Sequence, residues 1–259
     1  MTNPHQSAYR QIMKATSIFG GVQFYQIILT IVRTKIVAVL LGTQGMGIAG
    51  LLTSVTTLIS GLTNFGLGVS AVKNVAEANA TGDLKRVAIV SGVLKKLVWI
   101  TGFIGMAVVL ILSPWLSEWT FGNNQYTLAF IGLSGTMLLV TLTSGQYVLL
   151  QGLQRMTDLA KANVLGATLA LFVSVPLYYY YGLDGIVPAM VFSALTALMV
   201  AFYFGSKVSI ASVPLDSSTI VTEGKEMVKM GLLLSLSGVI ATASAYIIRI
   251  YISRNNTLP

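Results

Sequence analysis

Cysteine is missing from this sequence, and histidine occurs once, as His5 near the amino terminus. Those two facts exclude a disulfide framework, a thiolate nucleophile and a Cys/His metal centre, and nothing else in the chain asks for a cofactor. His5 reads as a solvated tail residue. Charge is scarce as well: 9% of the residues are Asp, Glu, Lys or Arg, and of 259 residues only 8 are acidic. A water-soluble domain carries about 25% charged residues, because its surface must face water.

What fills the space is apolar. Hydrophobic residues make up 54% of the chain and the mean hydropathy is +0.79. A chain of this size cannot hide so much apolar surface from water, so lipid is its solvent. The net charge of +8 does not point to nucleic acid. The Lys and Arg residues sit between apolar segments rather than on one soluble face.

A helix needs about 20 apolar residues to cross a bilayer core. Seven segments qualify: Ala15–Leu41, Met46–Val72, Leu97–Pro114, Leu128–Leu150, Leu159–Tyr181, Gly185–Phe204 and Val228–Ile252. The predicted fold class is therefore an all-α, polytopic membrane protein. The first segment is no cleaved signal peptide, being too long, lacking a small-residue cleavage site and carrying Arg33 and Lys35 inside it.

Orientation follows from the basic residues. With a cytoplasmic amino terminus, Arg10, Lys14, Lys73, Lys85, Arg86, Lys95, Lys96, Arg155, Lys161, Lys207, Lys225 and Lys229 all fall on the inner side, 12 of the 16. The three outer loops, near Gly42–Gly45, Trp115–Tyr126 and Gly182–Asp184, hold only the acids Glu118 and Asp184. This is the asymmetry that the positive-inside rule describes. Trp115, Trp119 and the run Tyr178–Tyr181 then fall at the outer headgroups.

Two inner linkers are long. Residues 73–96 mix charge with an apolar pattern and read as a helical extension at the membrane surface. Residues 207–227 contain Pro214 and a Ser/Thr/Asp-rich stretch, and separate an amino-terminal six-helix lobe (1–206) from a seventh helix within 228–259. The first and seventh helices have similar ends. Arg33 follows Lys14 by 19 residues and Arg249 follows Lys229 by 20, as a repeated bundle would have it. Chance resemblance of two helices is the other reading.

At about 100° per residue, Gln23, Gln26, Thr30 and Arg33 form one stripe on the first helix, with Lys35 pointing away. Thr53, Thr57, Ser60 and Asn64 share a face of the second. Ser235, Thr242, Tyr246, Arg249 and Ser253 share one on the seventh. Polar residues inside a membrane face a bundle interior or a water-filled cavity. Small Ser and Thr side chains also serve close helix packing, the commoner use. Lys35 lies about 9 Å from the helix end and can snorkel to the headgroups. For Arg33 and Arg249, lining and snorkelling both stand. Gln23, Gln26, Arg33, Asn64 and Arg249 are the cavity-lining candidates.

All eight acids, Glu77, Asp83, Glu118, Asp158, Asp184, Asp216, Glu223 and Glu226, fall in loops or at helix ends. The membrane interior thus holds positive charge and no carboxylate. That sign suits an anion, above all a phosphate or pyrophosphate gripped in bidentate fashion by a guanidinium.

The stretch Arg33-Thr-Lys-Ile-Val-Ala-Val-Leu-Leu-Gly42-Thr-Gln-Gly45-Met-Gly47-Ile-Ala-Gly50-Leu-Leu, with Asn64-Phe-Gly66-Leu-Gly68-Val-Ser-Ala-Val-Lys73, resembles the O-antigen translocases. These are polysaccharide flippases of the multidrug/oligosaccharidyl-lipid/polysaccharide exporter superfamily. Gly42 and Gly45 would bracket a tight outer turn, and Gly66 and Gly68 would let helices approach closely. The resemblance implies a two-lobed transporter of twelve to fourteen helices working by alternating access in the bacterial inner membrane. It implies a lipid-linked oligosaccharide, carried on polyprenyl pyrophosphate, as substrate, with membrane lipids and the polysaccharide polymerase machinery as partners and no nucleic acid. Arg33 matches the family's basic position in the first helix. The chain stops after its seventh helix, so on this reading it is the amino-terminal part of a longer transporter.

A drug exporter of the same superfamily is the first competing reading, and the missing intramembrane carboxylate argues against it. A membrane enzyme acting on polyprenyl-linked sugars is the second. Asp158, Asp184 and Glu118 are isolated, with no motif around them, so the chain reads as a transporter rather than an enzyme.

Overall fold

The computed structural model describes residues 4–208 and 216–255. Among these there are seven α-helices and no strand. They are α1 (Pro4–Thr63), α2 (Leu67–Ala80), α3 (Leu84–Phe121), α4 (Thr127–Gly152), α5 (Met156–Tyr181), α6 (Ile186–Ser206) and α7 (Ser217–Asn255), with a 3₁₀ turn Gly182–Gly185 between α5 and α6.

By length and composition, four helical stretches can cross a membrane: Gly20–Thr63, Leu84–Phe121, Thr127–Gly152 and Met156–Ser206. The bent pair Ser218–Leu233 and Gly238–Ile252 of α7 makes a fifth. Two of the four are double. Gly20–Thr63 has 44 residues and Met156–Ser206 has 51. At 1.5 Å per residue these are about 66 and 76 Å long, roughly twice a 30 Å hydrocarbon core. Each folds back on itself. The second reverses at the 3₁₀ turn, and the first reverses at Gly42, whose φ of 66° and ψ of −166° interrupt an otherwise continuous helix. Only glycine adopts such a left-handed, extended geometry without strain. The chain is thus a membrane protein with seven apolar legs, matching the seven expected segments.

The boundaries differ from expectation in four places, each for a local reason. The second leg ends at Thr63, where Phe65 (φ 47°) and Gly66 (φ 64°) turn the chain into α2. Pro114 does not end α3, which runs on to Phe121, carrying Trp115 and Trp119 as helical residues. A proline removes a hydrogen bond to the carbonyl four residues back, and here the Ser113 hydroxyl donates to that carbonyl of Leu110 at 2.9 Å. Gly42–Gly45 is a one-residue break rather than a loop. Finally, α7 starts at Ser217, so much of the segment read as a linker is helical. It bends by 52° between Leu233 and Gly238, at a Ser-Gly step.

The turns sort into two ends. Gly45 packs on Leu183, and Ile48, Gln125, Tyr126 and Asp184 line one cavity, so the turns near 42, 122–126 and 182–185 lie together. This Gly42 end is built around Leu52, Phe130, Leu133, Tyr178 and Ile186. Tyr178 is buried there, and only Tyr179–Tyr181 of the tyrosine run are exposed, a correction to the expected belt of four. Opposite lies the Asp83 end, where the Asp83 carboxylate caps α3 at the Lys85 amide (2.8 Å) and Leu67, Val75, Leu94, Val148 and Met227 form a second core.

α7 is fastened to the bundle at both ends. At the Asp83 end Arg86 and Glu223 form a bidentate pair at 2.5 and 2.9 Å. The Glu223 hydrogen bond holds the Arg86 guanidinium above its ordinary pKa. At the Gly42 end the Tyr246 hydroxyl, buried, meets the Thr120 hydroxyl at 2.6 Å.

Candidate functional site

The fold-back at Gly42 brings two stretches of α1 face to face. In a straight helix Arg33 and Asn64 would stand about 46 Å apart at 1.5 Å per residue. Instead both line one cavity of about 840 Å³. The second leg of α1 contributes Thr53, Thr57 and Ser60, the turn after it contributes Asn64, and α7 contributes Ser235 and Thr242. α4, α5 and α6 complete the wall with mainly small or apolar side chains, among them Met137, Ala170 and Ser193. No carboxylate among the described residues lines it.

The chemistry of the wall is set by where its protons go. Thr53 donates to the Ala49 carbonyl (2.7 Å), Thr57 to that of Thr53 (2.7 Å) and Thr242 to that of Gly238 (3.0 Å). A hydroxyl with its one proton committed to its own helix can only accept from a guest. These three hydroxyls therefore offer acceptors to the hydroxyl groups of a guest, with Asn64 adding an amide. Arg33 supplies the charge. It makes no hydrogen bond or ion pair among the described residues, and it is exposed rather than packed away. Arg33 also lines a smaller adjoining cavity of about 110 Å³ with Gln26 and Thr30.

The other sequence candidates fall elsewhere. Gln26 borders that smaller cavity, its amide donating to the Asn163 carbonyl at 3.4 Å. Gln23 is exposed and lines neither cavity. Arg249 stands off the large cavity: its guanidinium donates to the Gly50 carbonyl at 3.0 Å and to the Ser54 hydroxyl, tying α7 to the second leg of α1. The Ser253 side chain lies outside the described residues. The Thr53/Thr57/Ser60 face, for which helix packing was the commoner expectation, fronts the cavity.

A family model described as "Polysaccharide biosynthesis protein" matches residues 12–256. The chain belongs to this family. The match agrees with the resemblance carried by the Arg33–Leu52 and Asn64–Lys73 stretches. Among curated proteins the chain is similar to the stage V sporulation protein B of Bacillus subtilis (strain 168), 26% identical over 161 residues. That alignment covers 61% of this chain and 30% of the relative, so the matched stretch is under a third of the relative's length. No solved structure matches.

In this family member, sequence reasoning missed the walls built by α4, α5 and α6. Met137, Ala170 and Ser193 carry no polar stripe and no periodic signal. They become lining residues only because the fold sets them around the same cavity as the Thr53–Asn64 face.

Proposed function

We propose that the chain is the amino-terminal part of a flippase for an oligosaccharide carried on polyprenyl pyrophosphate, such as an O-antigen unit. The substrate would move from the inner to the outer leaflet of the bacterial inner membrane. The observation that carries this reading is Arg33, a cation with no counter-ion among the described residues, on the wall of a hydroxyl-lined cavity that none of their carboxylates lines. A membrane-embedded Arg costs at least about 2.5 kcal/mol unless water or a ligand reaches it, and an anionic guest in the cavity would meet that need. The acceptor-rich wall suits the hydroxyl groups of a sugar, and the family match supports a role in polysaccharide biosynthesis.

On this reading residues 1–206 form one six-helix lobe and α7 opens a second. The far longer relative supports such a two-lobed whole. The Asp83 end, rich in Lys and Arg, faces the cytoplasm. Transport requires no catalytic residue here: the cavity binds the headgroup, and the lipid tail stays in the bilayer. The sign of the cavity disfavours a cationic drug as cargo.

The test is Arg33→Ala in the full-length protein, read as surface polysaccharide together with membrane abundance of the variant. Export should fall to a small fraction of wild type at normal abundance. Unchanged export would overturn the reading.

A further inference from the structure

A second cleft, of about 290 Å³, lies between α3, α4 and α6 near the Asp83 end, apart from the large cavity. We infer that it holds the phosphate headgroup of one anionic membrane phospholipid. Three side chains with N–H donors line it: Lys95, Trp99 and Gln146. Among the described residues none of these three makes a hydrogen bond and no carboxylate lines the cleft. The Lys95 ammonium and the Trp99 indole can only donate, and such donors fit a group that only accepts, as a phosphodiester does.

The depth is right for a headgroup. α3 has 38 residues, about 57 Å at 1.5 Å per residue, so it overshoots a 30 Å core. Its apolar run begins at Leu97, which puts Lys95 at the interface and Trp99 one turn inside, where an indole prefers to sit. The rest of the wall is apolar, including Val98, Leu142 and Phe202, and offers the acyl chains a surface. Gly205 leaves the room: a Cβ there would overlap the Gln146 amide oxygen. Basic clefts between helices at the charged interface are built to retain anionic lipids. This inference is independent of what the large cavity carries.

Native mass spectrometry of the purified full chain, with phosphatidylglycerol and phosphatidylcholine supplied in equal amounts, tests it. Wild type should retain phosphatidylglycerol preferentially. Lys95→Gln should cut that preference about five-fold, whereas Lys96→Gln, the neighbour that does not line the cleft, should leave it intact. Lys95→Arg should keep it, which separates charge from general damage, and Gly205→Leu should expel lipid of either headgroup. Equal retention of the two lipids, or equal losses in the Lys95→Gln and Lys96→Gln variants, would overturn the inference. So would one-for-one displacement of phosphatidylglycerol by a polyprenyl phosphate, which would reassign the cleft to the transport substrate.

Discussion

Gly66 and Gly231 meet backbone to backbone. A Cβ on Gly66 would overlap the Gly231 carbonyl, and a Cβ on Gly231 would overlap the Phe65 carbonyl. The α1–α2 break therefore rests directly on α7. Gly66→Ala should destabilise the protein by about 1–2 kcal/mol from its left-handed φ alone, with the overlap adding to that. Gly231→Val should be at least as damaging. Gly68, expected from the sequence to permit close approach, has open space around it, so Gly68→Ala should be neutral or slightly stabilising. Thermal unfolding in detergent distinguishes these outcomes.

At the cavity, Arg33→Lys in the full-length protein should retain part of the export that Arg33→Ala loses. The charge survives but the bidentate fork does not. Lys35→Ala should be mild, because that side chain is exposed and lines neither cavity. Surface polysaccharide normalised to membrane abundance gives the ranking. A Lys35→Ala defect equal to that of Arg33→Ala would argue against a specific role for the cavity cation.

Arg249 gives the contrasting case. Its bonds to Gly50 and Ser54 join two helices, so Arg249→Met should lower stability by about 1.5–3 kcal/mol, the range for hydrogen bonds to a charged group. Melting temperature should move more than export per molecule in the membrane. The reverse ranking would place Arg249 with Arg33 as a binding residue.

The Arg86–Glu223 pair is partly exposed, with side-chain accessibilities of 45% and 20%. Its coupling energy in a double-mutant cycle with Arg86→Met and Glu223→Gln should be about 0.2–1 kcal/mol, falling with salt. A coupling of zero in low salt would mean that packing at Gly66 and Gly231, rather than this ion pair, holds the Asp83 end of α7.

Orientation can be read directly because the chain has no cysteine. Asn124→Cys, in the exposed turn at the Gly42 end, should react with an impermeant thiol reagent added outside intact cells. Leu84→Cys, exposed at the opposite end, should react only after permeabilisation. The reverse pattern would invert the topology and move the basic end to the outside.

Hydropathy alone placed the seven apolar legs, since each leg must match the bilayer whatever its neighbours do. The positive charge of the interior and its lack of carboxylates were legible for the same reason: in lipid, composition is already a statement about environment. Helical periodicity also grouped Thr53, Thr57, Ser60 and Asn64 on one face. What that face meets was not legible, because small hydroxyls serve packing and lining alike. Only the reversal at Gly42 set it opposite Arg33, across a distance that no local pattern encodes. In sequence Arg33 shared its stripe with two Gln residues, while Arg249, nearer its helix end, leaned towards snorkelling, and neither reading said what each guanidinium meets. The tertiary structure separated them by what stands within reach: open cavity for Arg33, and for Arg249 a carbonyl and a hydroxyl on the neighbouring helix.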